Sequence, residues 1–282
     1  MAIQDKNGFL KGKKGDSIYR MLNNKATVSQ KPVQVHQVAN SKITAFEFGL
    51  CSNTARCIRL AFSIFHIGLD GGFCNRLNTA VRSAFMSGKN AERGTRDLHD
   101  VDLSPLFQVQ FNQYAPMDKI LKIKPTVWLE DNDTVSFSLA SFSVAKHLSF
   151  PKLNLHVNCT LRVTLCAFHF RKEFYQNMGF RDIELSGSVF PGVKWNFDEC
   201  VPAGSILLVC MSLHYFIVDP AIGKKDLGLK EFSPAEIIGA FSIPADEKEK
   251  LESIKNWDDN QLPLEGYKGN MLLRNSDPSW AY

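Results

Sequence analysis

The stretch Leu153–Phe170 constrains the fold more than any other. Leu153, Leu155, Val157, Cys159, Leu161, Val163, Leu165 and Ala167 are apolar or small, and Asn154, His156, Asn158, Thr160, Arg162 and Thr164 between them are polar. Strict alternation means a β-strand with one face in a core and the other in water or against a partner. A strand of about 15 residues spans roughly 50 Å at ~3.3 Å per residue, so a bend or bulge is expected within it. Other strands must cover this one.

From Leu106 onward period two recurs. Phe107, Val109 and Phe111 alternate with glutamine and asparagine, as do Val135, Phe137 and Leu139 with serine. Ile183, Leu185 and Val189 follow, then a short piece with Trp195 and Phe197. Leu207, Val209, Met211, Leu213, Tyr215 and Ile217 mark a second long strand, with Ser212 and His214 on its opposite face. About seven to nine strands with turn signals between them predict an antiparallel Ig-like β-sandwich over 106–244.

Upstream the period changes. Residues 1–40 are rich in glycine and lysine and read as an N-terminal hairpin or extended arm, turning at Asn23-Asn24. Residues 41–88 read as an αα-hairpin. Thr44-Ala-Phe-Glu47 has the form of a capping box, followed by a stripe of Ile43, Phe46, Leu50, Cys57, Leu60, Ile64 and Ile67. Asp70-Gly71-Gly72 separates it from a second stripe of Phe73, Leu77, Ala80, Val81, Ala84 and Phe85, which Gly88 can end. Residues 89–105 are polar and read as a linker. Residues 245–282 form a tail, charged and helical over 245–255, whose aromatic residues at 257, 267, 280 and 282 are costly to leave in water. The class is α+β, mainly β.

Seven cysteines, none in a C-x-x-C, predict reduced, buried thiols. With no apolar run of about 18 residues and no signal-like start, the expected place is a reducing cytoplasm. Incorporation into a larger particle or export by another route stays open. Charge is uneven. Residues 1–96 hold 15 Lys/Arg and 5 Asp/Glu, a balance of +10, and residues 97–282 hold 18 and 24, a balance of −6. A basic part on an acidic body calls for an acidic partner: nucleic acid, a membrane surface, or the body of another copy. The residues expected to carry the interaction are Lys11, Lys13, Lys14, Tyr19, Lys25, Arg56, Arg59, Arg76 and Arg82.

Candidate chemical motifs reduce to plainer readings. Gly8-x-x-x-Gly12-Lys13 is one residue short of a phosphate-binding loop and runs into a strand pattern. His156-x-x-Cys159 and Cys166-x-x-His169 place their residues on opposite faces of a strand, where they cannot close on one metal. Cys210 and His214 share a face about 13 Å apart. The acidic run 130–133 suits calcium, but a hairpin turn uses the same residues. No nucleophile elbow, H-E-x-x-H or dinucleotide fingerprint occurs. The expectation is a non-enzymatic protein with no cofactor and no metal.

The N-terminal pattern Gly8-x-x-x-Gly12-Lys13-x-Gly15, then Asn24-Lys25, Val28-Ser29, Lys31-Pro32 and a helix with Arg56 and Arg59, resembles the opening of uncharacterised Bacteroidetes proteins. These join a glycine–lysine hairpin and helices to an immunoglobulin-like sandwich. The resemblance covers roughly the first 80 residues and implies that fold, without an activity.

The leading expectation is therefore a structural or interaction protein. It would assemble as a homo-oligomer, a ring or filament built head-to-tail through the basic N-terminal part and the acidic sandwich. The alternatives are nucleic-acid binding by residues 1–96 and binding of a ligand or glycan on the sandwich. The last would need Trp128, Trp195 and Phe168 exposed over a concave face.

Overall fold

The computed structural model describes residues 2–6, 8–23, 25–31, 38–65, 69–88, 96–130, 134–197, 201–221, 223–243 and 261–269. The chain falls into two compact units, Met1–Lys42 and Ile43–Tyr282.

The first unit is more than a hairpin. Strands β1 (Ile3–Gln4), β2 (Leu10–Lys14), β3 (Ser17–Leu22) and β4 (Lys25–Gln30) form an antiparallel sheet in sequence order. Its turns use the expected residues. Gly8, Gly12 and Gly15 have positive φ, and Asn23 closes β3 onto β4 at φ 48°. That conformation is tolerated by asparagine and costs larger side chains more. Asn24 lies outside the described residues. None of the described residues 2–31 is buried.

Helix α1 (Ala39–Ala61) begins at the end of the first unit and lies mostly in the second, where α2 (Phe73–Ser87) completes the expected helix pair. The α2 stripe is buried as read, from Phe73 to Phe85. That of α1 differs: Leu50, Cys51, Thr54, Ala55, Cys57 and Ile58 are buried, while Leu60 and Ile64 are exposed. The helix starts before Thr44, which is therefore an interior residue and not a cap, and Glu47 is buried. Gly72 is the N-cap of α2 without a side-chain cap of its own. The Asp70 carboxylate, two residues upstream, accepts from Gly72 N–H.

Then come α3 (Met117–Ile120), β5 (Thr126–Leu129), β6 (Val135–Leu139), β7 (Phe142–Ser143) and α4 (Val144–His147). They are followed by β8 (Asn158–His169), β9 (Phe174–Glu184), β10 (Val189–Phe190), β11 (Val193–Phe197) and β12 (Ile206–Asp219). β13 (Gly223–Asp226), β14 (Ala235–Ser242) and β15 (Gln261–Pro263) complete the described strands. β12 and β8 are the centre. β13 and β14 pair with the far side of β12, and β9 and β15 continue from β8, giving a six-stranded antiparallel sheet that curls into a half-barrel.

The central sheet is covered on both faces. Cys166, Phe168, Ile206, Leu208 and Cys210 join Leu50, Ile58, Phe73 and Phe85 of the helices in one core. Leu161, Val163, Leu165, Leu207, Val209 and Met211 point the other way, toward Val135 and Phe137 of the three-stranded sheet β11-β6-β5. The order is helix layer, curled sheet, small sheet, so the helices pack on the β part of the chain. Residues 96–105 are not a free linker, because Leu98 and Leu103 share the core of the helices; residues 89–95 lie outside the description. Phe107 is exposed, and residues 108–111 run along β14 through backbone bonds instead of forming a full strand.

The long alternation is shorter in space than in sequence. Leu153 and Leu155 are exposed and β8 begins at Asn158. The expected irregularity is a register shift at Leu165/Cys166, opposite Met178. Of the tail, β15 pairs with β9, and Leu264 and Tyr267 are buried, so this segment docks within its own chain. Residues 245–255, Trp257, Trp280 and Tyr282 lie outside the described residues. No helix among the described residues is long and apolar enough to cross a membrane.

Candidate functional site

Register sorts the residues of the first unit onto two faces. Paired residues of an antiparallel sheet lie on the same side, and neighbours along a strand on opposite sides. Tyr19 pairs with Gly12 and Val28, and Met21 with Ala26. With Leu10 they make one face predominantly apolar. Lys13 pairs with Ile18, Lys11 with Ile3, Arg20 with Thr27 and Leu22 with Lys25, which makes the other face basic. Of the residues expected to interact, Lys11, Lys13 and Lys25 therefore share a face, while Lys14 and Tyr19 stand on the opposite one. Arg20 belongs with the basic group, and its even spacing from Lys25's partner Leu22 could have shown it. Lys11 lies 3.2 Å from Asp5. The apolar face is open to a partner: Val28 is 59% exposed and Leu10 38%.

The four arginines of the helices belong to the second unit, and three have work within it. Arg76 is a brace, not a free outer charge. It pairs with the buried Asp70 at 2.6 Å and donates to the Gln110 carbonyl at 3.0 Å. Asp70 also accepts from Gln113 N–H. Burial alone would raise the Asp70 pKa, but bonds from Gln113, Arg76 and Gly72 outweigh it and hold the carboxyl below its usual range. Arg56 Nη1 donates to the Glu265 carbonyl at 3.2 Å, tying α1 to the tail. A Cβ on Gly266, whose φ is +66°, would stand 2.8 Å from that nitrogen. Arg59 donates to Cys74 Sγ. Arg82 is exposed on α2.

The residues weighed for metal binding lie apart. His156 is exposed, Cys159 faces the small sheet, and Cys166 faces the helices. Burial pushes the thiols of Cys51, Cys159 and Cys166 up to about 12, which keeps them protonated. His169 packs against His99 in a tilted arrangement, with ring centroids 5.1 Å apart. Phe170 N–H donates to His99 Nε2 and Lys172 N–H to His169 Nδ1, each at 3.1 Å. Both rings thus serve as acceptors. Glu130 accepts from Trp128 Nε1 and Ser136 Oγ at 2.7 Å, and residues 131–133 lie outside the description.

A second feature is a cleft of about 440 Å³ in the second unit, made where the helix layer stops short of the sheet. Toward its helix-covered end the same face of β8 and β12 is apolar, with Cys166, Phe168, Leu208 and Cys210. Beyond Thr164 and Cys210 it turns polar. Asp182, Arg162 and Ser212 stand in register across β9, β8 and β12, with Thr160 and His214 in register beside them. Arg162 donates twice to Asp182, at 2.7 and 2.8 Å, and its guanidinium lies 4.0 Å over the Phe180 ring. Ser212 Oγ and His214 Nε2 share a hydrogen bond of 2.9 Å. Burial first, then the nearby Arg162 charge, lowers the pKa of His214, which favours the neutral ring. Ile64 and Phe65 wall the cleft on the helix side, and Phe232 and Pro234 oppose them.

Sequence reading placed His214 and Ser212 on one face but missed Asp182 and Asp226, because strand partners far apart in the chain set the cluster. The aromatic residues considered for a glycan platform do not form one. Phe168 is fully buried, Trp195 packs on Phe137 at 4.1 Å, and Trp128 is held by Glu130. No family model matches the chain, and neither the curated proteins nor the solved structures hold a significant match to it.

Proposed function

We propose that this is a non-enzymatic structural or interaction protein that assembles head-to-tail with copies of itself through its N-terminal sheet. The observation that carries the reading is the apolar face of Leu10, Tyr19, Met21, Ala26 and Val28 in a sheet none of whose described residues is buried. A sheet gains stability by covering one face with a second layer. The β4 edge, Ala-Thr-Val-Ser-Gln after Lys25, carries no further charge or proline to deter strand addition. The occupant is the body of a second copy. Residues 1–42 hold 8 Lys/Arg and 2 Asp/Glu, a balance of +6, and residues 43–282 hold 25 and 27, a balance of −2. Opposite charge on unlike surfaces favours a heterologous contact, which builds a ring or a filament.

Both cores draw only on residues from Leu50 onward, so removing residues 1–32 should leave the second unit folded. Light scattering should find the full chain in assemblies and the truncated chain monomeric. Equal association of the two would assign assembly elsewhere.

A second reading rests on the basic face, where Lys11, Lys13, Arg20 and Lys25 lie together. Such a face suits a polyanion, and binding of nucleic acid there would weaken steeply with salt. Gel-shift titrations at about 50 mM and 200 mM salt test it. No retention of single or double strands at the lower salt removes it.

A further inference from the structure

We propose that the cleft between the tip of the helix layer and β8, β9 and β12 binds an uncharged saccharide unit. Its size, about 440 Å³, falls within the range of sites for small ligands. Its chemistry narrows the class. The charged groups that line it come in balance, Arg162 and Lys224 against Asp182 and Asp226. Arg162 and Asp182 already satisfy each other in a two-pronged bond. An anionic or cationic ligand would have to displace one member of that pair and leave the other without its partner, which is costly. A hydroxyl group asks for no such exchange. It donates to a carboxylate and accepts from a guanidinium at once, and bonds to charged partners are the stronger kind.

The remaining polar groups repeat the theme. Thr160 and Ser212 are hydroxyls, and His214 as a neutral ring offers one donor and one acceptor. They form the floor in one plane, on one face of two paired strands, so a ring with several hydroxyls meets several partners together. The wall is different. Ile64, 72% exposed, presents apolar surface beside the polar floor, with the buried Phe65 behind it. A sugar ring has this same division, with hydroxyls around its edge and C–H groups on its faces. A phosphate has no apolar face, and a free amino acid brings charges that the Arg162–Asp182 pair, already satisfied, does not leave partners for.

The side chains are placed by the fold and not by a loop. Register across β9, β8 and β12 fixes Asp182, Arg162 and Ser212 in a row, and the Arg162 guanidinium is held over Phe180. Such preorganisation lowers the cost of binding.

The test is titration calorimetry of the full chain with glucose, galactose, mannose, xylose, N-acetylglucosamine and their β- and α-linked disaccharides, together with a glycan array. Glucuronic acid, glucosamine, inorganic phosphate and free amino acids are run beside them. At least one neutral saccharide should bind, and Asp182→Asn and Ser212→Ala should each weaken it about tenfold or more, as expected for lost bonds to a charged or buried group. Urea midpoints confirm that both variants are folded. The proposal is overturned if no neutral saccharide binds in either format. It is also overturned if the acids, amines or amino acids bind in preference, or if saccharide binding survives both substitutions unchanged.

Discussion

The chain contains two antiparallel sheets that differ in what covers them. The sheet at β8 and β12 lies between the helices and the small sheet, and residues of both parities along these strands are buried. The sheet at β1–β4 has no buried residue among those described. Fully burying a Phe or Leu is worth about 1.5–3 kcal/mol, so the sheet at β8 and β12 is stable by its own contacts. An uncovered sheet is marginal unless something else packs on it. One strand pattern thus encodes a core and the other an unfinished surface. On the proposed reading, stability rests with the second unit and association with the first.

The largest effect should come from the doubly covered sheet. Phe168 is fully buried and packs near Phe62, Phe170 and Tyr175. Phe168→Ala should cost about 3–5 kcal/mol through lost transfer energy and a cavity. Urea unfolding monitored by circular dichroism measures it. A loss below ~1 kcal/mol would mean the helix-side core is not well packed.

Next is the brace that joins helix to loop. Asp70→Ala removes the acceptor for Gly72 N–H, Gln113 N–H and Arg76 together. The expected cost is about 2–4 kcal/mol, since several donors lose their partner at once. Retention of the wild-type midpoint would show that water replaces the carboxylate freely.

The pH dependence sharpens the comparison further. Burial pushes His169 down to about 3, with His99, Lys172 and Arg171 adding to the effect. A depressed histidine stays neutral in the fold, while the unfolded chain takes up a proton below about pH 6.5. This contribution is therefore fully present above that pH and is lost as pH falls toward 3. The slope is about 1.4 kcal/mol per pH unit for one proton. Urea midpoints of the native chain and His169→Gln, compared between about pH 6.5 and 5.5, should diverge at high pH and converge as pH drops. Parallel curves would place the proton uptake elsewhere.

The smallest effect on stability belongs to the open sheet. Val28→Ser should change unfolding of the second unit by less than ~0.5 kcal/mol, as is usual for exposed sites, while weakening association. A large loss of stability would mean Val28 is covered within its own chain.

How much of this could be read in advance depends on the range of the interaction. The α2 stripe and the period of β12 were legible because each is local and dense in apolar residues. The α1 stripe was not, since Leu60 and Ile64 are apolar yet exposed, and the helix starts before its apparent capping box. Leu153 and Leu155 kept the strand pattern without a paired neighbour, and alternation alone cannot show where pairing begins. The face of β12 that meets the helices was not legible for a related reason: β12 is apolar on both faces, which one residue in two cannot reveal. The cleft was least legible of all. Thr160, Arg162, Ser212 and His214 were visible as polar positions, but their meeting with Asp182 depends on the pairing of β8 with both β9 and β12.

The most direct test of the division between the units is hydrogen–deuterium exchange at two protein concentrations, one where the chain is assembled and one where it is dispersed. The account predicts that amides of β3 and β4 are protected when concentrated and exchange quickly when diluted, because only other copies cover them. Amides of β8 and β12 should stay protected at both concentrations. Protection of β3 and β4 that does not change with dilution would contradict the account, since the N-terminal sheet would then be stable without a second copy.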